Sequence, residues 1–194
     1  MSKGCVMASM VDRRALLAGM AAVLLAPEAA FAATKKNFQI DPQYEPQQVS
    51  LPGYLPGMIV VVPSARFLFL TEAGGMARRY GIGVGRGSLT EKGPAVIARK
   101  AEWPSWKPTP KMIAHNPGRY GRYAGGMRGG PGNPLGARAM YLYRDGRDTM
   151  LRIHGTTEPW TIGQAVSNGC MRMVNDHVID LYERVPVGTN VVIV

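Results

Sequence analysis

His154 and Cys170, sixteen residues apart, are the pair in this chain whose residue types and spacing suit nucleophilic chemistry. The histidine stands in Ile153-His154-Gly155-Thr156-Thr157-Glu158-Pro159, the cysteine in Ser167-Asn168-Gly169-Cys170-Met171-Arg172. Only one other cysteine exists, Cys5, and it falls in a segment that reads as an export leader. Without that leader Cys170 has no partner for an internal disulfide, which leaves intermolecular pairing or chemistry. A free thiol with a pKa of ~8.5 is mostly protonated at neutral pH, and a nearby imidazole or helix N-terminus lowers that value. Both aids are expected here: His154 at a strand end, and a helix that begins shortly after the cysteine and aims its peptide dipoles back. Glycine at 169 lets the backbone turn so that successive N–H groups face one oxyanion. Nucleophile, base and oxyanion donors are the parts of an acyl-transfer site.

The bland alternative for Cys170 is a small buried hydrophobe, which a Ser-x-Gly-Cys loop in an exported chain disfavours. His115, in a Pro/Gly-rich stretch, and His177, on a helix surface, read as solvated. The three histidines and Cys170 show no compact metal-ligand spacing, so neither a metal nor a cofactor is expected.

The elements that must position this pair are mostly strands. Short β-rich runs cover Met58 to Val62, Arg66 to Thr71, Tyr80 to Val84 and Ala95 to Ala98, with a turn at Ala73-Gly74-Gly75. Ala137 to Tyr143 and Thr149 to His154 bracket Asp145-Gly146, a hairpin signal. Residues 107–136, rich in Gly and Pro, read as one long loop, and loops of that length are usually functional or disordered. One convincing helix follows the cysteine: Asn175 or Asp176 can cap it, and Val178, Leu181, Tyr182 and Val185 form its apolar stripe. Pro186 and Gly188 stop it, and Thr189 to Val194 closes the chain as a strand.

At the N-terminus, Arg13-Arg14, an apolar run from Ala15 to Leu25 and Ala30-Phe31-Ala32 give the three-part layout of a cleavable secretory signal over residues 1–32. The run is shorter than the roughly 20 residues a membrane span needs, and the arginine pair fits either a twin-arginine or a general secretory leader. Residues 33–56 read as an extended arm or linker and 57–194 as one domain with a real core. The formal net charge of +10 suits either solubility alone or a polyanionic neighbour such as carboxylate-rich cell-wall polymer or lipid phosphates. Nucleic acid is disfavoured by the leader and the lack of a binding motif, and no transmembrane segment is expected in the mature chain.

The string Ile153-His154-Gly155-Thr156, Pro159, Ile162-Gly163, Ser167-Asn168-Gly169-Cys170-Met171-Arg172-Met173, Asn175-Asp176, Leu181-Tyr182 and Val185-Pro186-Val187-Gly188-Thr189 closely resembles the catalytic region of L,D-transpeptidases, bacterial enzymes that remodel peptidoglycan. A weaker likeness extends upstream through Asn133-Pro134-Leu135-Gly136 to about residue 57. The family commonly has Ser-His-Gly-Cys where this chain has Asn168. The resemblance implies a mainly β fold, a mixed-sheet β-sandwich with one C-terminal helix after the cysteine loop, in an enzyme that the leader places in the periplasm. It implies Cys170 as nucleophile, His154 as general base and acid, and the Gly155 carbonyl orienting the imidazole. Backbone N–H groups of Asn168, Gly169 and Cys170 would hold the oxyanion, and Arg172 and Trp160 would contact substrate. Arg172 can instead bond the loop backbone, and Trp103, Trp106 and Trp160 can instead pack in the core.

The donor implied is a tetrapeptide stem, acylating the enzyme at its third residue with loss of D-alanine. The acceptor is a second stem, a D-amino acid or an amine of an outer-membrane protein, and carbapenems are expected to trap the thiol. Hydrolysis of the same thioester, an L,D-carboxypeptidase activity, is open as well. So is a non-catalytic peptidoglycan-binding module in which Cys170 is incidental.

Overall fold

The computed structural model describes Met1 and residues 38–194 apart from Ser88; the expected leader, with Cys5, lies outside the described residues. Eleven strands and three helices follow in chain order: β1 (Gln47–Ser50), β2 (Ile59–Val62), β3 (Phe67–Thr71), β4 (Met76–Gly81), β5 (Val84–Gly85), β6 (Gly93–Glu102), α1 (Pro110–His115), α2 (Pro117–Tyr120), β7 (Arg138–Arg144), β8 (Arg147–His154), β9 (Ala165–Ser167), β10 (Met171–Arg172), α3 (Asn175–Arg184) and β11 (Asn190–Ile193). Nine strands form one mixed sheet in the order β1-β4-β3-β2-β11-β6-β7-β8-β10, and β5 pairs with β9 beside it. The fold is therefore mainly β with a mixed sheet and one helix after the cysteine loop, as expected.

Alternation along the strands puts Ile59 and Val61, Leu68 and Leu70, Met140 and Leu142, and Leu151 and Ile153 into a single core cluster with Val178 and Leu181 of α3. Strands from both halves of the order thus feed one core. The Asp145-Gly146 turn behaves as predicted: both residues have positive φ, 50° and 73°, the geometry of a two-residue hairpin connection.

Helix α3 is fastened at three points. Lys100 of β6 donates to the Tyr182 and Val185 carbonyls at 2.6 and 2.7 Å, satisfying acceptors that its last turn leaves unpaired. Asp180 accepts from Tyr80 Oη at 2.7 Å and from Arg78 at 2.8 Å, tying α3 to β4. Burial raises the Asp180 carboxyl, but bonds from Arg184, Tyr80 and Arg78 outweigh it and hold the group at about 2. The expected cap is corrected. Val174 is the N-cap and offers no side-chain bond, because the Asn175 amide is used elsewhere.

Two further expectations change. Residues 107–136 are not a plain loop; they contain α1 and α2, each opened by a capping side chain and a proline at the first helical position, Thr109-Pro110 and Asn116-Pro117. The arm read over residues 33–56 contributes β1, paired antiparallel with β4, and its Tyr44 ring sits where side chains at Gly81 and Gly163 would have to go. His177 is buried rather than solvated, with Nε2 3.1 Å from Glu45 of the same arm. Long-range docking of this arm covers the helix face that local pattern assigned to water.

Candidate active site

Strands β8 and β10 run parallel, with Ile153 opposite Met171 and His154 opposite Arg172. That register brings the end of the histidine strand beside the cysteine loop. A cavity of about 390 Å³ lies over the junction, lined by His154, Cys170, Arg172, Ser167 and Asn168 on one side and by Trp106, Tyr120 and Tyr123 on the other. Its size suits a peptide-sized ligand.

His154 is 5% exposed. Its Nδ1 lies 2.6 Å from the Gly155 carbonyl oxygen, and a carbonyl only accepts. Nδ1 therefore carries the hydrogen, and Nε2 keeps a lone pair with which to take a proton. Burial pushes the imidazole down to about 4, partly opposed by the Gly155 bond and reinforced by the charges of Arg172 and Arg152. Burial also pushes the Cys170 thiol above its ordinary value, against a hydrogen bond from the Arg152 backbone and the Arg152 and Arg172 charges.

The thiol donates to the Met150 carbonyl at 3.7 Å, and among the described residues no hydrogen bond joins Sγ to the imidazole. Burial thus disfavours the charged form of both groups. Met150 sits at a β-bulge where β7–β8 pairing shifts between Tyr141 and Tyr143, with a φ of 62°. Bulges re-aim strand groups beside active sites, and this one turns a carbonyl toward the sulfur.

Gly169 has a φ of 122°, and a Cβ there would stand 2.7 Å from the Leu89 carbonyl oxygen. Only glycine takes this turn without strain. Of the three expected oxyanion donors, the Gly169 N–H is already engaged by Ser167 Oγ at 3.1 Å, while that hydroxyl donates to the Cys170 carbonyl at 2.7 Å. Asn168 and Cys170 N–H have no protein partner among the described residues. The donors left for an anion are those two.

Arg172 lines the cavity and pairs with Glu158 at 2.7 Å. Trp160 is 57% exposed and is not among the lining residues, whereas Trp106 is; Trp103 is also exposed and outside the cavity. His115 is exposed. Sequence reading passed over Met150, Arg152, Glu158 and the Arg119-Tyr120-Gly121-Arg122-Tyr123 string that forms the far wall. The doubled Arg-Tyr in that string was the available signal. Among the described residues no group of three or more His, Cys, Asp or Glu side chains is placed to hold a metal ion, and no helix is long and apolar enough to cross a membrane.

The buried neutral ring has a consequence for stability. An unfolded histidine takes its proton at the ordinary 6.5, whereas folded His154 resists it down to about 4. Between these values the unfolded chain binds more protons, so the contribution is full above 6.5 and is lost as pH falls toward 4. At 1.36 kcal/mol per pH unit the loss is on the order of 3 kcal/mol. The lowered carboxyls of Asp148 and Asp180 act below 3.8, so denaturant midpoints between pH 6.5 and 4.5 report on His154. His154→Gln is expected to flatten that slope, and an unchanged slope contradicts the assignment. Alkylation of Cys170 by iodoacetamide is expected to be slow at pH 6–7 and to climb beyond pH 9; a plateau at acid pH would indicate a preformed ion pair.

The YkuD family, the L,D-transpeptidase catalytic domain, matches residues 56–193. The probable L,D-transpeptidase ErfK/SrfK of Escherichia coli is 34% identical over 77% of this chain and 47% of its own length; the probable L,D-transpeptidase YbiS of Escherichia coli is 33% identical over 75% and 47%. The chain thus spans about half the length of these curated relatives. A crystal structure from Brucella melitensis, described as a probable carnitine operon oxidoreductase, is 56% identical with a TM-score of 0.56, covering 80% of this chain and 96% of that one. The Xylanimonas cellulosilytica L,D-transpeptidase shares the fold at a TM-score of 0.52 and 16% identity, over 75% of this chain and 63% of that one. With more than half its length matched by the family, the chain belongs to the L,D-transpeptidase catalytic-domain family.

Proposed function

We propose that the protein is a peptidoglycan L,D-transpeptidase of the periplasm, exported by the leader over residues 1–32, with Cys170 as nucleophile and His154 as base. The observation that carries this reading is the shared cavity in which the Gly155 carbonyl fixes the His154 tautomer beside the only described cysteine. The thiol leaves the Met150 carbonyl and passes its proton to His154 Nε2 as sulfur attacks the carbonyl of the third stem residue. The tetrahedral oxyanion takes hydrogen bonds from the Asn168 and Cys170 N–H groups, each such donor contributing roughly 3–4 kcal/mol in comparable acyl transfers. The imidazolium returns the proton to the departing D-alanine amine, leaving a thioester on Cys170. An amine acceptor, from a second stem, a D-amino acid or an outer-membrane protein, loses its proton to His154 and displaces sulfur, which regenerates the thiol.

Because burial favours the neutral forms of Cys170 and His154, the thiolate–imidazolium pair forms only with the substrate carbonyl in place. Asn168 takes the place of the family's usual second histidine, and this mechanism asks only for its backbone.

The test is incubation of the leaderless protein with disaccharide-tetrapeptide, followed by mass analysis of products. Dimers lacking one D-alanine are the expected result. Tripeptide monomers alone would replace transfer by hydrolysis, and no product together with no carbapenem adduct on Cys170 would defeat both.

A further inference from the structure

Pairing between β7 and β8 runs from Tyr141 opposite Arg152 to Tyr143 opposite Asp148, so Thr149, Met150 and Leu151 stand against Leu142 alone and leave the ladder. Side chains rebuild what the ladder gives up. Asp148 Oδ1 accepts from the Met150 N–H at 2.7 Å. Thr149 Oγ accepts from the Leu151 N–H at 3.2 Å and donates to the Leu142 carbonyl at 2.6 Å. The same Asp148 carboxylate takes a two-point fork from Arg152, at 2.6 and 2.7 Å, and so grips the chain on both sides of Met150. Met150 needs that grip: its φ is 62°, a region that side chains disfavour, and at 58% exposed it gains little from packing. Arg152 is anchored in turn, its guanidinium 4.4 Å from the centre of the Tyr141 ring. The bulge ends on the sulfur. Along a strand, the C=O of one residue and the N–H of the residue two further on face the same edge. The Met150 carbonyl accepts from the Cys170 thiol at 3.7 Å, and the Arg152 N–H bonds the same sulfur and favours its ionised form. One group serves the thiol and the other the thiolate.

We propose that Asp148 is a positioning residue for the nucleophile: by clasping the Met150 N–H and the Arg152 guanidinium, it fixes the bulge that holds the Met150 carbonyl and the Arg152 N–H against Cys170. This rests on the transpeptidase reading for the role of Cys170, and adds to it a residue outside the substrate cavity. Burial raises the Asp148 carboxyl, but bonds from Arg152 and the Met150 N–H outweigh it and hold the group below its ordinary value, so the clasp is charged wherever the thiol ionises. Charge and grip act on the sulfur in opposite senses. A nearby carboxylate disfavours the thiolate, whereas the N–H that Asp148 positions favours it. Substitution can therefore separate the two.

Two measurements on the leaderless protein test this: carbapenem acylation, and iodoacetamide alkylation of Cys170 as a function of pH. In Asp148→Ala the acylation rate constant at saturating carbapenem is expected to fall about tenfold with its concentration dependence unchanged, the scale of a nucleophile held loosely. Its alkylation midpoint should rise by about one pH unit, as for one lost hydrogen bond to a charged group. Asp148→Asn keeps an acceptor for the Met150 N–H and should stay within about threefold of the wild-type rate, with a midpoint that does not rise. Arg152→Lys keeps the charge and gives up the fork; it is expected to slow acylation and raise the midpoint, and it carries the test if a thermal melt shows Asp148→Ala unfolded. A midpoint that falls in both Asp148 variants makes the residue a charge alone and overturns the proposal. Equal rate losses in those two variants, or wild-type rates in Asp148→Ala and Arg152→Lys, overturn it as well. If the wild-type protein takes no carbapenem on Cys170, the transpeptidase reading fails, and the alkylation midpoints still decide the role of Asp148.

Discussion

Cys170→Ala is expected to abolish acylation by a tetrapeptide donor, and His154→Ala to slow it at least ~100-fold, the lower end of what a positioned general base supplies. The two losses differ in kind. Without sulfur no thioester can form, whereas without the imidazole the thiol must ionise alone, and burial has already pushed its pKa up. The residual rate of His154→Ala should therefore rise steeply with pH, because hydroxide takes over the work of the base. Stopped-flow acylation by a carbapenem measures both variants. A His154→Ala enzyme that acylates at the wild-type rate with a flat pH profile would remove His154 from its assigned role.

Asn175→Ala is expected to destabilise the fold by about 2–4 kcal/mol and to loosen the segment after His154. The Asn175 Oδ1 accepts from the Ala137 N–H at 3.1 Å and from the Thr156 N–H at 3.2 Å, both on buried residues. Each buried donor left without an acceptor costs roughly 1–3 kcal/mol. The amide is seated between Gly136 and Gly155, where a Cβ at either position would strike it, so no neighbouring side chain can take its place. Because Gly155 supplies the carbonyl that orients His154, the damage should reach catalysis as well as stability. Urea denaturation and carbapenem acylation read the two effects. Asn175→Asp keeps an acceptor oxygen and should recover most of the stability; equal losses in the Ala and Asp variants would contradict the double-acceptor role.

Much of the positioning was readable in the chain because it is local. Short β-rich runs predict β2 and β3 at nearly their observed bounds, the Asp145-Gly146 pair predicts its hairpin, and Val178 with Leu181 predicts the buried face of α3. The His154 and Cys170 segments were legible because residue types and spacing there are fixed by chemistry. Other features were hidden because they depend on contacts distant in sequence. Asn175 has a capping residue's composition, yet its amide serves strand β7 and the Thr156 loop. His177 follows a surface pattern until residues 41–50 fold across it. The bulge at Met150 has no sequence mark, since a methionine with positive φ is not a residue that pattern rules select. The short helices α1 and α2 did carry a mark, a capping side chain followed by proline, that the surrounding Gly and Pro content outweighed.

The most direct measurement of the central claim is the intact mass of the protein, quenched during turnover of a disaccharide-tetrapeptide, with the adduct then located by peptide mapping. The account predicts an increase equal to the donor less D-alanine, carried on the peptide that contains Cys170 and released by hydroxylamine. An unmodified Cys170 under conditions of demonstrated turnover, or an adduct on any other residue, would contradict it.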